Sequence, residues 1–191
     1  ANQRGGRVEQ AFTYDDLHRL DTATGTWTEP GGARNSYTLD VDYDAIHNIT
    51  RKAQTHTVSR QGNGRPVPQR RTSYDWTYEY DGPQPHAPSA VGDQSYSYDE
   101  SGRMESRQQR GMGAPSRTLL WDSEDRIQAI QDGGAAVEDE AGNVVAGRGR
   151  TTEFTYDAVG NRITKSGAQG HTAYVGAHYT LRNETIATKH I

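Results

Sequence analysis

A short phrase repeats along the chain, and it restricts the possible folds more than any other feature. Its clearest copy is FTYDAVGNRI, in which an apolar residue, a spacer and an aromatic residue precede an aspartate. Because residues two apart share one face of a β-strand, each copy predicts a strand with a two-residue apolar stripe. The copies lie near residues 12–20, 41–49, 96–104, 119–127 and 154–163, and residues 78–91 begin as a half copy.

The residues after the stripe are typical of a tight turn. The aspartate can accept a hydrogen bond from the backbone N–H two residues later. An Arg or Asn precedes an apolar residue that restarts a strand, and in the last copy Arg162 is expected to be an insertion before Ile163. Each copy therefore predicts a β-hairpin with a longer loop. Four positions after the aromatic residue, the copies have types that tolerate positive φ, namely His18, His47, Gly102, Asp125 and Gly160.

Aromatic, aspartate and turn residues are predicted to form the structural repeat. They are Tyr14, Asp15, Tyr43, Asp44, Tyr80, Asp81, Tyr98, Asp99, Gly102, Arg103, Trp121, Asp122, Arg126, Tyr156, Asp157, Gly160, Asn161 and Arg162. A second predicted feature is an ordered Pro-rich crossing between two hairpins, at Pro85, His86 and Ala87. Three prolines exclude a central strand or helix there.

The remaining segments also favour β-structure. Alternation predicts strands at residues 37–43, 50–58, 172–179 and 181–191, and no window has helical periodicity. Residues 132–150, rich in Gly and Ala, are interpreted as either a small excursion hairpin or a mobile loop. Residues 59–71 carry four arginines and no acid, which is more simply a solvated loop than a phosphate- or partner-binding loop.

Composition limits the core that the chain can bury. Only 31% of its 191 residues are hydrophobic, which is low for a compact globule. Its 11 Tyr and 3 Trp, placed in register with the repeat, argue against disorder. A thin, repetitive sheet fits both observations, and such a sheet needs neighbouring repeats. We therefore expect an all-β chain of consecutive hairpins.

Charge and cysteine content exclude several function classes. The net charge of −4 predicts no bulk attraction to nucleic acid or to anionic membranes. The sequence has no cysteine, which removes disulfide frameworks and thiol catalysis. No apolar run approaches the length of a membrane helix, so we expect no membrane insertion by this segment.

The sequence lacks complete versions of familiar catalytic and metal-binding patterns. Asp40, Asp42 and Asp44 begin like a calcium-binding EF-hand loop, but Ala45 stands where glycine is needed and Arg51 where the bidentate glutamate belongs. One aspartate per turn could suggest the paired carboxylates of a glycosidase, yet a turn cap is the simpler interpretation. We predict no enzyme activity, no metal and no cofactor.

The pattern YDxxGNR at residues 156–162 resembles the YD repeat of the Rhs/YD-repeat family. That family includes bacterial Rhs polymorphic toxins, the B and C components of Tc insecticidal toxins, and teneurin ectodomains. The order of the copies and the Pro-His-Ala passage extend the resemblance over nearly all of the chain, most strongly over residues 78–191. It implies that residues 1–191 are one YD-repeat segment of a larger protein, whose hairpins form part of a spiralling, hollow β-shell.

This resemblance implies a structural, non-enzymatic role. The segment would be part of the wall that encapsulates a C-terminal effector polypeptide before delivery, because it lacks the family's self-cleavage motif and toxin region. The implied partners are the remaining shell, the enclosed effector and, as an option, Tc-type delivery components, with no nucleic acid. The implied location is secreted or on the bacterial cell surface. The alternatives are a cell-surface recognition module for carbohydrate or protein and, less favoured, a hydrolase that uses the turn aspartates.

Overall fold

The structure is a computed structural model, which describes residues 6–60, 64–111, 116–134, 137–138, 144–145, 149–176 and 179–189. Over these ranges every regular element is a β-strand and no helix occurs, so the predicted all-β fold of consecutive hairpins is confirmed. Contacts divide the chain into two compact units, Ala1–Gly92 and Asp93–Ile191. That residues 1–191 form one repeat segment of a larger protein stays a prediction.

The first unit is an open antiparallel sheet in which hairpins follow one another in chain order. Its strands are β1 (Val8–Tyr14), β2 (Leu20–Thr28), β3 (Arg34–Tyr43), β4 (Ile49–Ser59), β5 (Val67–Pro68), β6 (Tyr74–Glu79) and β7 (Ala90–Val91). Both β5 and β6 pair with β4, at different positions along it. The predicted loop at residues 59–71 therefore contains a short strand, and its Pro68 is tolerated because β5 lies at a sheet edge.

The second unit is built in the same way. Its strands are β8 (Gln94–Tyr98), β9 (Met104–Gln109), β10 (Ser116–Trp121), β11 (Ile127–Asp132), β12 (Val137–Glu138), β13 (Val144–Val145), β14 (Arg150–Tyr156), β15 (Arg162–Gly167), β16 (Gly170–Tyr174), β17 (Tyr179–Arg182) and β18 (Ile186–Lys189). All pair with their neighbours in order except β12 and β13, which pair only with each other. This pair matches the excursion hairpin that was one of two interpretations of residues 132–150, several of which lie outside the described residues.

A register shift occurs at the aromatic residue of every complete copy. Tyr14 pairs with Leu20 in the first copy, and Tyr156 pairs with Arg162 in the last. Arg162 therefore occupies the position that an apolar residue holds in the other copies, and the expectation that it is an insertion was wrong. The residue after it, Ile163, is the extra residue of the bulge, in the position that Asp21 has in the first hairpin.

The core is small, as the composition predicts. The buried apolar side chains among the described residues are Ala23, Val41, Ala90, Leu119 and Ala129. Most other side chains are half-buried or exposed. Strand β1 lies at a sheet edge, where Phe12 is 49% and Tyr14 is 60% exposed. Each sheet is therefore held together chiefly by its ladder of backbone hydrogen bonds and by cross-strand pairs of side chains.

Two connections differ from the predictions. Residues 80–89 join β6 to β7, which pair with each other, so the Pro-rich segment closes its own hairpin instead of crossing between two. The two strands expected at residues 172–179 and 181–191 are three strands. Asn183 and Glu184, with φ of 49° and 58°, are the central residues of an additional turn, in which the N–H of Thr185 donates to the carbonyl oxygen of Arg182 at 3.1 Å. Positive φ at two successive residues is the geometry of a tight hairpin. The expected alternation through Ala177 lies outside the described residues.

Connections at the two ends of the hairpins differ in length. At one end each complete copy has a five-residue turn from the aspartate to the Arg or Asn, as in residues 15–19 and 157–161. At the other end the connections range from Ala168-Gln169 to the long segment between β11 and β14. The uniform end is where the repeated polar residues lie.

Candidate functional site

Every aspartate turn closes through the same hydrogen bonds. In the first, Oδ1 of Asp15 accepts from the backbone N–H of Leu17 at 2.9 Å and of Arg19 at 2.8 Å. The N–H of Asp15 donates to the carbonyl oxygen of Arg19 at 3.0 Å. The same bonds recur around Asp44, Asp99, Asp122 and Asp157.

The fourth position after each aromatic residue lies in the left-handed region. The values of φ are 60° for His18, 71° for His47, 80° for Gly102, 60° for Asp125 and 87° for Gly160. Histidine, aspartate and glycine tolerate this conformation better than most residue types. Local backbone conformation therefore accounts for the unusual mixture of residues at this position.

The last residue of each turn binds the second carboxylate oxygen. Nε of Arg19, Arg103 and Arg126 donates to Oδ2 of its aspartate at 2.7, 2.6 and 2.8 Å. Nδ2 of Asn48 and of Asn161 makes the same contact at 3.0 Å. Arg and Asn are therefore equivalent within a turn, although only Arg carries charge.

These donors lower the pKa of all five turn aspartates below the ordinary value of 3.8. The backbone N–H of Arg19 is the main cause at Asp15, and the Asn161 side chain is the main cause at Asp157. At the other three, partial burial is the largest influence and raises the pKa, but the hydrogen bonds together outweigh it. Since a general acid needs a raised pKa, these carboxylates are suited to accepting hydrogen bonds and not to donating protons.

Aromatic residues connect three of the five aspartate turns to the preceding hairpin. The hydroxyl of Tyr43 donates to the carbonyl oxygen of Leu20 at 3.0 Å, and the guanidinium of Arg19 lies 4.4 Å from the Tyr43 ring centroid. Such a cation–π contact contributes to stability on its own. The second unit has two further links. Trp121 Nε1 donates to the carbonyl oxygen of Met104 at 2.9 Å, and Arg103 lies over the Trp121 ring. The hydroxyl of Tyr156 donates to the carbonyl oxygen of Ile127 at 2.8 Å, and Arg126 lies over the Tyr156 ring. We call this set of turns and links the turn ladder.

Two arginines also reach the next turn directly. Nη1 of Arg19 lies 3.1 Å from Nδ1 of His47 and 3.3 Å from the carbonyl oxygen of Asp44. Nη1 of Arg103 donates to Oδ1 of Asp125 at 2.7 Å. The left-handed residue of one turn is therefore a contact point for the arginine of the turn before it.

Asn48 replaces arginine where the Pro-rich segment follows. Its buried side chain donates to the carbonyl oxygen of Pro85 at 2.7 Å, and its Oδ1 lies 2.8 Å from Nδ1 of His86. Tyr80 still makes the ladder contact, to the carbonyl oxygen of Ile49 at 3.0 Å. The half copy therefore keeps the aromatic link of the repeat, while Pro85 and His86 stand in place of a second turn.

The other predicted residues have different surroundings. Asp81 does not begin a turn of this type, because its N–H donates to Ser89 Oγ at 3.1 Å. Ala87 donates its N–H to the carbonyl oxygen of Gln84 at 3.2 Å within the Pro-rich loop. Tyr98 pairs with Met104, and partial burial, followed by the nearby Tyr96, raises the pKa of its hydroxyl. That these residues form a structural repeat shared with a known family stays a prediction.

Sequence reasoning missed several contacts. Arg162 lies 4.6 Å from the ring centroid of Tyr174 and 5.5 Å from that of Phe154, so it extends the stacking to a residue with no aspartate after it. Spacer residues also pair through hydroxyls between the two strands of one hairpin, as in Thr13 with Thr22 at 2.6 Å and Ser97 with Ser106 at 2.7 Å. The Ser or Thr at the spacer in three of the five copies was the available signal.

The described part of the chain contains no group of three or more His, Asp or Glu side chains placed to hold a metal ion. Likewise, none of the described segments is a helix that is long and apolar enough to span a bilayer.

Comparison with known proteins gives matches among solved structures. No protein-family model matches the chain, and no curated protein matches it. Among solved structures, the chain is similar to the Tc holotoxin pore of Photorhabdus luminescens, with a TM-score of 0.42 and 12% sequence identity. The match covers 91% of this chain and 9% of that chain, so this chain spans a small part of its length.

Proposed function

We propose that this chain is a structural, non-enzymatic wall segment of an Rhs/Tc-type shell that encapsulates a C-terminal effector polypeptide before delivery. The observation that supports this proposal is the turn ladder. The carboxylates of its turns bind backbone N–H groups and the Arg or Asn side chain, its arginines lie over aromatic rings, and its hydroxyls bind carbonyl oxygens of the preceding hairpin. The polar groups that repeat most regularly therefore join hairpin to hairpin.

The thinness of the sheets also favours a wall. Each unit buries few apolar side chains, and many residues on both faces are half-exposed. Such a sheet gains stability from neighbouring repeats. The exposed Phe12 and Tyr14 on β1 offer the aromatic half of a further ladder contact. The proposed partners are accordingly the rest of the shell and the enclosed effector, with Tc-type delivery components as an option, in a protein that is secreted or on the bacterial cell surface.

Protease protection of the effector in the parent protein tests this function. Asp99→Ala removes the acceptor for two backbone N–H groups and the partner of Arg103. We expect the variant to digest its effector region faster than the wild type does. Glu100→Ala is the matched control, because Glu100 is the adjacent exposed acid and makes no hydrogen bond within the described ranges.

Two results would contradict the proposal. One is an effector region that is digested at the same rate in Asp99→Ala, in Glu100→Ala and in the absence of the segment. The other is substrate turnover by the purified chain that Asp99→Ala abolishes, which would favour the hydrolase alternative.

A recognition module is the second candidate, and one partly exposed aromatic pair favours it. The rings of Tyr74 and Trp76 stack with centroids 4.1 Å apart, and Trp76 is 39% exposed. Exposed aromatic faces suit sugars and partner side chains. Binding of the chain to a glycan panel, lost on Trp76→Ala and retained on Trp27→Ala, would favour this function over the wall.

A further inference from the structure

Basic side chains form a row across one face of the second unit. Arg107 on β9 pairs with Arg117 on β10, Arg117 pairs with Asp132 on β11, and Asp132 pairs with Arg150 on β14. Directly paired residues point to the same side of an antiparallel sheet. Four neighbouring strands therefore present three guanidinium groups and one carboxylate on one face, although the whole chain has a net charge of −4. We call these four residues the arginine row.

One ion pair within the row shows that its guanidinium groups can bind a carboxylate. Arg117 donates to both carboxylate oxygens of Asp132, from Nε at 2.6 Å and from Nη2 at 2.9 Å. This two-point geometry is the preferred match between guanidinium and carboxylate. Arg107 and Arg150 flank the pair, both are exposed, and neither makes a hydrogen bond or ion pair within the described part of the chain. The guanidinium groups of Arg107 and Arg150 are therefore accessible to carboxylates of a ligand.

Two adjoining surface depressions lie along the arginine row. One, of about 330 Å³, is lined by Arg107, Arg117 and Arg150. The other, of about 280 Å³, shares Arg117 and Arg150, adds Lys165, and is lined on its apolar side by Ile130 and Phe154. Asp132 is the one acidic residue lining either depression among the described residues. The combined surface is therefore cationic, with an apolar patch beside the row, farther along β11 and β14 than Asp132 and Arg150.

Strand spacing sets the pattern that a ligand must have. Arg107 and Arg150 are three strand steps apart, or about 14 Å at about 4.8 Å per step. An extended polypeptide advances about 3.3 Å per residue, so acidic residues four positions apart span this distance. We propose that the arginine row binds an extended acidic segment of another polypeptide. Carboxylates four residues apart contact Arg107 and Arg150, and an apolar side chain packs against Ile130 and Phe154.

A polypeptide fits this surface better than a nucleic acid does. The fixed carboxylate of Asp132 lies in the middle of the row, where it repels a continuous line of phosphates. The apolar patch at Ile130 and Phe154, beside the row, offers nothing to a phosphate backbone. The binding does not depend on whether the chain is a shell segment, because it follows from these side chains alone.

Fluorescence anisotropy of the 191-residue chain with a labelled peptide tests the proposal. The probe is a short peptide with two glutamates four positions apart and a leucine next to the second, whose side chain can reach the patch beside the row. The comparison peptide has glutamine in place of both glutamates. We expect the glutamate peptide to bind more tightly and to weaken as salt is raised. The double variant Arg107→Gln/Arg150→Gln should weaken binding by about three- to tenfold, because exposed ion pairs contribute modestly.

Arg65→Gln/Arg70→Gln is the matched control, since it removes the same charge from exposed residues of the first unit. It should bind the glutamate peptide as the wild type does. Equal binding of the two peptides would overturn the proposal, and so would an equal loss in both double variants. Tighter binding of a single-stranded oligonucleotide of the same charge would also overturn it, in favour of a nucleic-acid surface. Unchanged thermal melting of the variants would show that lost binding is not lost folding.

Discussion

Removing one oxygen atom, by Tyr156→Phe, isolates the link between two neighbouring hairpins. The hydroxyl of Tyr156 donates to the carbonyl oxygen of Ile127 at 2.8 Å, while Arg126 lies 4.9 Å from the ring centroid. Phenylalanine keeps the ring, so the packing and the cation–π contact remain. The variant therefore tests whether the hydrogen bond itself holds the return strand of one hairpin to the aromatic residue of the next.

The expected loss follows from the kind of hydrogen bond. A neutral hydrogen bond between a hydroxyl and a carbonyl contributes a net free energy of about 0.5–1.5 kcal/mol. For a chain of this size, about 1 kcal/mol corresponds to a fall in Tm of about 2–4 °C. Tyr156→Phe should therefore lower the free energy of unfolding by about 1 kcal/mol and lower Tm by a few degrees.

Urea unfolding and thermal melting followed by circular dichroism measure this effect. Tyr14→Phe is the matched control, because Tyr14 has the same position in the first copy, is largely exposed and makes no hydrogen bond through its hydroxyl to any described residue. Tyr43→Phe tests the same link in the first unit, through the carbonyl oxygen of Leu20. If Tyr156→Phe and Tyr43→Phe lose no more stability than Tyr14→Phe, the hydroxyl links are not what joins the hairpins.

Three further changes probe other parts of the ladder. Because the folded-state pKa values of the turn aspartates lie below 3.8, their contribution is fully present about a unit above that value and is lost as pH falls through the lowered values. Urea unfolding should show that the free energy of unfolding decreases below about pH 5, and that it decreases less in Asp157→Asn than in the wild type. An equal decrease in the two proteins would contradict this prediction. Gly160→Ala should cost about 1–2 kcal/mol because φ is 87° there, whereas Gly31→Ala, equally uncrowded but without positive φ, should cost almost nothing. Equal losses at the two glycines would rule out backbone strain as the cause. Asn48→Ala should cost about 2–3 kcal/mol in urea unfolding because it leaves buried groups unpaired, and exposed Asn161→Ala should cost less. The opposite order would refute the role assigned to the Pro85 contact.

The sequence predicts well what depends on a few consecutive residues. Alternation around Phe154 and Tyr156 indicates a strand, and Asp157 followed by Gly160 indicates a turn, because backbone hydrogen bonds within five residues decide both. The all-β fold follows, since no segment offers a competing helical pattern. Composition likewise predicts the small core, because it fixes how much apolar surface the chain has.

Contacts between hairpins could not be predicted in the same way. The stacking of Arg19 on Tyr43 depends on the relative position of two strands that are separated by variable connections. The role of Asn48 depends on where the Pro-rich loop returns, which no local pattern encodes. Two left-handed residues in succession at Asn183 and Glu184 concealed the last turn, because glutamate rarely adopts that conformation.

The unequal connections at the two ends of the hairpins have a consequence for how such a chain can change. Turns at the uniform end are fixed by residues most of which also contact the next hairpin, so an insertion within residues 122–126 would separate Arg126 from both Asp122 and Tyr156. Among the described residues, the connections at the opposite end carry none of these contacts, and the long segment between β11 and β14 already leaves the pairing of the two strands intact. New domains can therefore be grafted at that end, and the rest of the scaffold would tolerate their size because the cost of a longer loop grows only slowly with its length.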